Sequence, residues 1–74
     1  MKDISDAQVC EVVRRCHARG FADGLAHEVL SRETGQPKKV CSRAIERTYK
    51  RGYLIVGFAC EMAWLSEAGE ALLQ

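Results

Sequence analysis

The sequence predicts a small, mainly α-helical domain that finishes with a β-hairpin and a short last helix, and three observations predict it. Apolar residues recur at helical spacing in the first half, as in Val9, Val12, Val13 and Cys16 at i, i+3, i+4 and i+7. A second and a third helical pattern are separated only by a short break at Gly35-Gln36, a turn tight enough to cross two helices steeply rather than lay them antiparallel. Beyond Gly52 the helical period gives way to Tyr53-Leu54-Ile55-Val56 and then Met62-Ala63-Trp64-Leu65, two short strands.

Ser5 or Asp6 can cap the first helix, whose stripe faces inward while Glu11, Arg14 and Arg15 face out. Gly20 suits the left-handed position that closes a helix, and Phe21 just beyond can fold back onto the last turn. Asp23 offers a cap for the second helix, with Leu25, Ala26, Val29 and Leu30 as its buried side and Thr34-Gly35 as its end. The third helix is expected over 37–51, since proline is at home in the first helical position. Its inward face is Cys41, Ala44, Ile45 and Thr48, supported by Val40 and Tyr49; Lys39, Ser42, Arg43, Glu46, Arg47 and Lys50 share the outward side. Ser66 can cap a last helix from Glu67 to Leu73, with Leu72 and Leu73 returning to the core.

The 74 residues, 47% hydrophobic and 28% charged, fit one globular domain, residues 1–74, with no room for a catalytic cleft beside its scaffold. A net charge of +1 conceals a strong asymmetry. Between Gln36 and Arg51 six basic residues (Lys38, Lys39, Arg43, Arg47, Lys50, Arg51) face one acid (Glu46), hence +5. Residues 1–35 sum to −1, and residues 52–74 to −3 with no Lys or Arg. Charge concentrated on one segment of a nearly neutral chain points to a polyanionic partner there. The polar start MKDISDAQ shows no secretory signal and no apolar run approaches a membrane span, so a cytoplasmic location is expected, with the four cysteines reduced. Cys10, Cys16, Cys41 and Cys60 form no CxxC pair, and the adjacent Cys16 and His17 point about 100° apart on a helix, so buried thiols are expected rather than a metal site. No cofactor, small-molecule substrate or catalytic constellation is indicated: His17 and His27 have no nucleophile in an evident triad, and the glycines sit at helix ends rather than in a phosphate loop.

The order helix, helix, tight turn, helix, hairpin, short helix resembles the winged helix-turn-helix family. The resemblance is carried by Leu25-Ala26-His27-Glu28-Val29-Leu30 with Glu33-Thr34-Gly35, by Val40-Cys41-Ser42-Arg43-Ala44-Ile45, by Arg51-Gly52-Tyr53-Leu54, and by Trp64-Leu65-Ser66-Glu67-Ala68-Gly69. It covers about residues 7–73 and is similar to compact regulators of phages and mobile elements. It implies double-stranded DNA as partner, transcription regulation as role, and the third helix in the major groove with its N-terminal half nearest the bases. On that reading Arg43 pairs with guanine and Gln36 reads adenine, Ser42 lies beside them, Lys38, Lys39 and Lys50 hold phosphates, and Arg47 does either. Glu46 is spaced to pair within the helix with Arg43 or Lys50.

The wing departs from the family's DNA-binding pattern, in which its tip often carries Arg or Lys. Here the tip, Gly57-Phe58-Ala59-Cys60-Glu61, is apolar with one acid. Phe58, Met62 and Trp64 are therefore a candidate protein interface, toward a second copy or a host protein, unless they cap the small core. The alternative function is a winged-helix protein-interaction module, such as a phage-encoded inhibitor of a host or defence protein, since the fold alone does not settle function.

Overall fold

Ser5 opens the first helix: it sits in extended backbone, and its hydroxyl accepts a hydrogen bond from the Gln8 amide at 3.1 Å, satisfying one of the first turn's orphan N–H groups. The computed structural model describes residues 4–22, 24–56 and 63–74. Its elements run α1 (Asp6–Ala18), α2 (Ala26–Thr34), α3 (Lys38–Lys50), β1 (Leu54–Val56), β2 (Ala63–Leu65) and α4 (Glu67–Leu72). Among the described residues the architecture is mainly helical, four helices and one two-stranded antiparallel sheet. None of the described helices is long and apolar enough to cross a membrane.

α1 is the central element, touching α2, α3, α4 and β2. That position explains why its buried face is broader than the predicted stripe: Val9, Val12, Val13 and Cys16 are buried, and so are Cys10 beside them and Ile4 ahead of the helix. Ala26, Val29 and Leu30 of α2, Cys41, Ala44 and Ile45 of α3, and Leu54 and Ala63 of the two strands complete the core. α1 closes as expected. Gly20 is left-handed (φ 61°), its amide donates to the His17 carbonyl at 3.0 Å, and the Phe21 amide donates to the Cys16 carbonyl at 2.8 Å, the paired bonds of a Schellman motif. Phe21 also takes a positive φ of 60°, uncommon for a bulky residue, with its side chain packed against the core.

α2 begins one residue later than its apolar pattern suggests. Leu25, expected on the buried side, occupies the N-cap position and is half-buried, its amide donating to Glu28 Oε1 at 3.4 Å. Asp23, the expected cap, lies outside the described residues. A bidentate pair joins α1 to α2, Arg15 Nη1 and Nη2 lying 2.5 and 3.0 Å from the Glu33 carboxylate; both side chains are largely exposed, so its contribution to stability is small.

The α2–α3 link is three residues, Gly35-Gln36-Pro37. Gly35 is left-handed (φ 75°) and its amide donates to the Ser31 carbonyl at 2.9 Å. Side chains of α2 hold the rest: the Ser31 hydroxyl donates to the Gln36 carbonyl at 2.6 Å, and Thr34 Oγ1 accepts from the Gln36 amide at 3.2 Å. Pro37 is the N-cap of α3 rather than its first helical residue, because its ψ of 148° is extended while its carbonyl already accepts from Cys41 at 3.1 Å. The helix predicted over 37–51 thus runs Lys38–Lys50, with Arg51 as C-cap.

β1 and β2 pair antiparallel in the register Leu54↔Leu65, Ile55↔Trp64 and Val56↔Ala63. Alternation buries Leu54 and Ala63 and turns the opposed pair Ile55 and Trp64 outward, 43% and 37% exposed. Phe58 and Met62, expected at the wing interface, and Cys60 lie outside the described residues. Ser66 caps α4, accepting from the Gly69 amide at 3.2 Å while its hydroxyl donates to the Gly52 carbonyl at 2.6 Å. Leu73 packs partly against the core, but Leu72, expected to join it, is 39% exposed: two successive helical residues point about 100° apart, and only one can face inward here.

Candidate nucleic-acid interface

The burial of Cys41, Ala44, Ile45 and Thr48 fixes the roll of α3 and turns its basic side to solvent. Lys38, Lys39, Ser42, Arg43, Glu46 and Lys50 are all exposed. Tyr49, expected to support the inward face, is instead 46% exposed, lying one residue beyond the buried Thr48. Gln36 is half-buried in the turn, with its backbone amide and carbonyl both engaged by α2 side chains. Lys38, Lys39 and Arg43 enter no salt bridge among the described residues, whereas Lys50 Nζ pairs with Glu46 Oε1 at 3.3 Å, one turn away.

Arg47 is placed differently from its outward neighbours. It is half-buried; its Nε donates to Asp6 Oδ1 at 3.2 Å and its Nη2 to the Ile4 carbonyl. Arg51 Nη1 donates to Asp6 Oδ2 at 2.5 Å. The buried Thr48 hydroxyl lies 2.9 Å from both Asp6 Oδ1 and the Ala44 carbonyl, so its single proton is shared between them. One carboxylate at the start of α1 thereby fixes three side chains at the end of α3. Burial pushes the Asp6 carboxyl up, but the hydrogen bonds from Arg51, Thr48 and Arg47 and the charge of Arg51 outweigh it and hold the group below its ordinary value. Asp6 is the structural residue that sequence reasoning missed; its spacing from Arg47 and Arg51 carries no local signal, and Ser5 takes the capping role it was offered.

Arg43, Glu46, Arg47, Lys50 and Arg51 line a shallow, open concavity of about 410 Å³ on this side of α3. The exposed surface therefore has two parts. Toward the N-terminus stand Lys38, Lys39, Ser42 and Arg43; toward the C-terminus is a basic hollow whose two arginines are steadied from beneath by Asp6.

The chain matches no family model, no curated protein and no solved structure. What the site can do therefore rests on its own chemistry. Cys10, Cys16 and Cys41 are buried, and burial, with the nearby Asp6 charge, pushes the Cys10 thiol up, which keeps it protonated. Among the described residues no group of three or more His, Cys, Asp or Glu could hold a metal ion. His17 lies beside the Trp64 ring in a tilted arrangement (centroids 6.1 Å, planes 32° apart) and meets Phe21 edge-on at 6.3 Å. Trp64, the described member of the predicted wing interface, is thus part-covered by α1 and part-open to solvent.

Proposed function

We propose that the chain is a winged helix-turn-helix protein that binds double-stranded DNA, with α2 and α3 as the helix-turn-helix and the β1–β2 hairpin as the wing. It acts by occupying its site rather than by catalysis, as a small cytoplasmic regulator does. The observation that carries this reading is the N-terminal half of α3, where Lys38, Lys39 and Arg43 stand exposed and, among the described residues, unbridged directly after a three-residue turn. An α-helix fits the major groove, and a guanidinium at the position of Arg43 can span the O6 and N7 acceptors of a guanine. Lys38 and Lys39 supply phosphate contacts that set the orientation, with Ser42 and Gln36 beside them. Arg47, committed to Asp6 and Ile4, contributes charge rather than base reading.

Lys39→Ala combined with Arg43→Ala is expected to weaken binding to duplex DNA, by roughly tenfold or more for the lost arginine contact alone, and to lower the slope of log K against log salt by about 0.9 for each phosphate contact removed. Both residues are exposed, so the melting temperature should stay within a few degrees of the parent's. Unchanged affinity in this folded variant would remove the N-terminal half of α3 from the interface.

A second reading is favoured by Ile55 and Trp64, an exposed apolar pair on a segment from Gly52 to Gln74 that carries no Lys or Arg. That face has nothing to offer phosphates and suits protein, in the first instance a second copy of this chain. On this reading light scattering gives a dimer for the parent and a monomer for Ile55→Asp. A parent that stays monomeric at high concentration would dismiss the homodimer.

A further inference from the structure

We infer that the hollow formed by Arg43, Arg47, Lys50 and Arg51 is a phosphate-binding site, which on the DNA reading takes the strand backbone flanking the groove entered by the first half of α3. This deepens the proposed function and rests on it for the identity of the polyanion, though the site's affinity for phosphate does not. The four cations fall at i, i+4, i+7 and i+8, so they share one stripe of the helix and converge on a concavity of about 410 Å³. Among the described residues Glu46 is the one carboxylate in the lining; with Asp6 beneath Arg47 and Arg51 counted as well, the four cations leave a net charge of +2. Among the described residues no aromatic side chain lines it, so the lining suits charged oxygens rather than a stacked base or sugar ring.

The arginines are pre-set for that role. A guanidinium has five N–H donors; Arg47 commits two of them to Asp6 and Ile4, and Arg51 one to Asp6. The remaining donors stay available to an anion, and the ordering of both side chains is already met by the fold. Glu46, held 3.3 Å from Lys50, is the element that opposes an anion here, competing for the ammonium that would otherwise turn to phosphate.

The discriminating variant is Glu46→Gln, since a gain of affinity cannot arise from misfolding. Binding to a mixed-sequence duplex is measured across a salt series for the parent, Glu46→Gln, and Lys50→Ala with Arg51→Ala. In parallel, inorganic pyrophosphate is titrated against the parent while the arginine Nε–H resonances are followed by NMR. The site predicts that Glu46→Gln tightens duplex binding about threefold or more. It also predicts that Lys50→Ala with Arg51→Ala lowers the salt slope by about 1–2, and that pyrophosphate moves the Arg47 and Arg51 signals. Duplex binding that ignores both sets of hollow variants overturns the site and leaves the DNA reading standing. Pyrophosphate shifts with no duplex binding keep the site and overturn the DNA reading, and silence in both assays overturns both.

Discussion

Gly69→Ala is expected to lower the melting temperature by at least roughly 10 °C, corresponding to about 2 kcal/mol or more in a domain of this size. Helix propensity alone predicts the opposite sign, since alanine is favoured over glycine by about 0.5–1 kcal/mol inside a helix. What reverses it is a close approach of backbone to backbone: a Cβ at position 69 would lie 2.2 Å from the Tyr53 carbonyl oxygen and 3.3 Å from Leu65 Cδ2. The Tyr53 oxygen cannot easily retreat, because it accepts the Ser66 amide at 3.1 Å and so ties the start of α4 to the strand entry. Relief would require α4 to move away as a body, undoing the Ser66 cap and its bond to Gly52. A thermal melt by circular dichroism checks this, with the exposed Ala71→Gly as the propensity control at about 1 kcal/mol. An unchanged or raised melting temperature for Gly69→Ala would contradict the packing described for α4.

Asp6→Ala should be comparably damaging, by about 2–3 kcal/mol near neutral pH, because it strands hydrogen-bonding groups that the fold has half-buried. The Asp6 side chain is only 17% exposed, Arg47 is 35% exposed, and the Thr48 hydroxyl would keep only the Ala44 carbonyl. The pH dependence follows from the depressed carboxyl. A group whose folded pKa lies below its unfolded one contributes stability that is fully present well above the ordinary value of 3.8 and is lost as pH falls through the folded pKa. The parent should therefore lose stability on acidification below about pH 4, and the gap between parent and Asp6→Asn should narrow over the same window. Chemical denaturation at a series of pH values reads this directly. A parent–variant gap that is constant from neutral to strongly acidic pH would mean that the carboxylate does not join α1 to α3.

The contrast between these two residues and the rest of the chain marks what the sequence could disclose. Val9, Val12, Val13 and Cys16, or Cys41, Ala44, Ile45 and Thr48, announce a helix and its buried side because the periodicity of a helix is local and repeats within two turns. Ser5, Gly20, Gly35 and Ser66 announce ends for the same reason: a cap or a left-handed turn is satisfied by residues a few positions away. The basic side of α3 is legible once its apolar side is known. What periodicity does not carry is the identity of the neighbour. Asp6 acts on residues 41 to 45 positions away, and nothing around it distinguishes it from a helix cap. Gly69 owes its need for a bare Cα to Tyr53 on another element, and Arg47 looked like any other outward cation until Asp6 and the Ile4 carbonyl claimed it. Tyr49 and Leu72 were misplaced because a buried neighbour in sequence says little about a residue turned about 100° further round.

The central claim is that α3 presents a surface for duplex DNA, and the salt dependence of binding by the unaltered chain tests it most directly. With Lys38, Lys39 and Arg43 unbridged among the described residues and the Arg47–Lys50–Arg51 hollow beside them, log K should fall linearly with log salt at a slope of about −3.6 to −4.5, the value for four or five neutralised phosphates. No measurable binding at 50 mM salt, or an affinity indifferent to salt up to 200 mM, would contradict it.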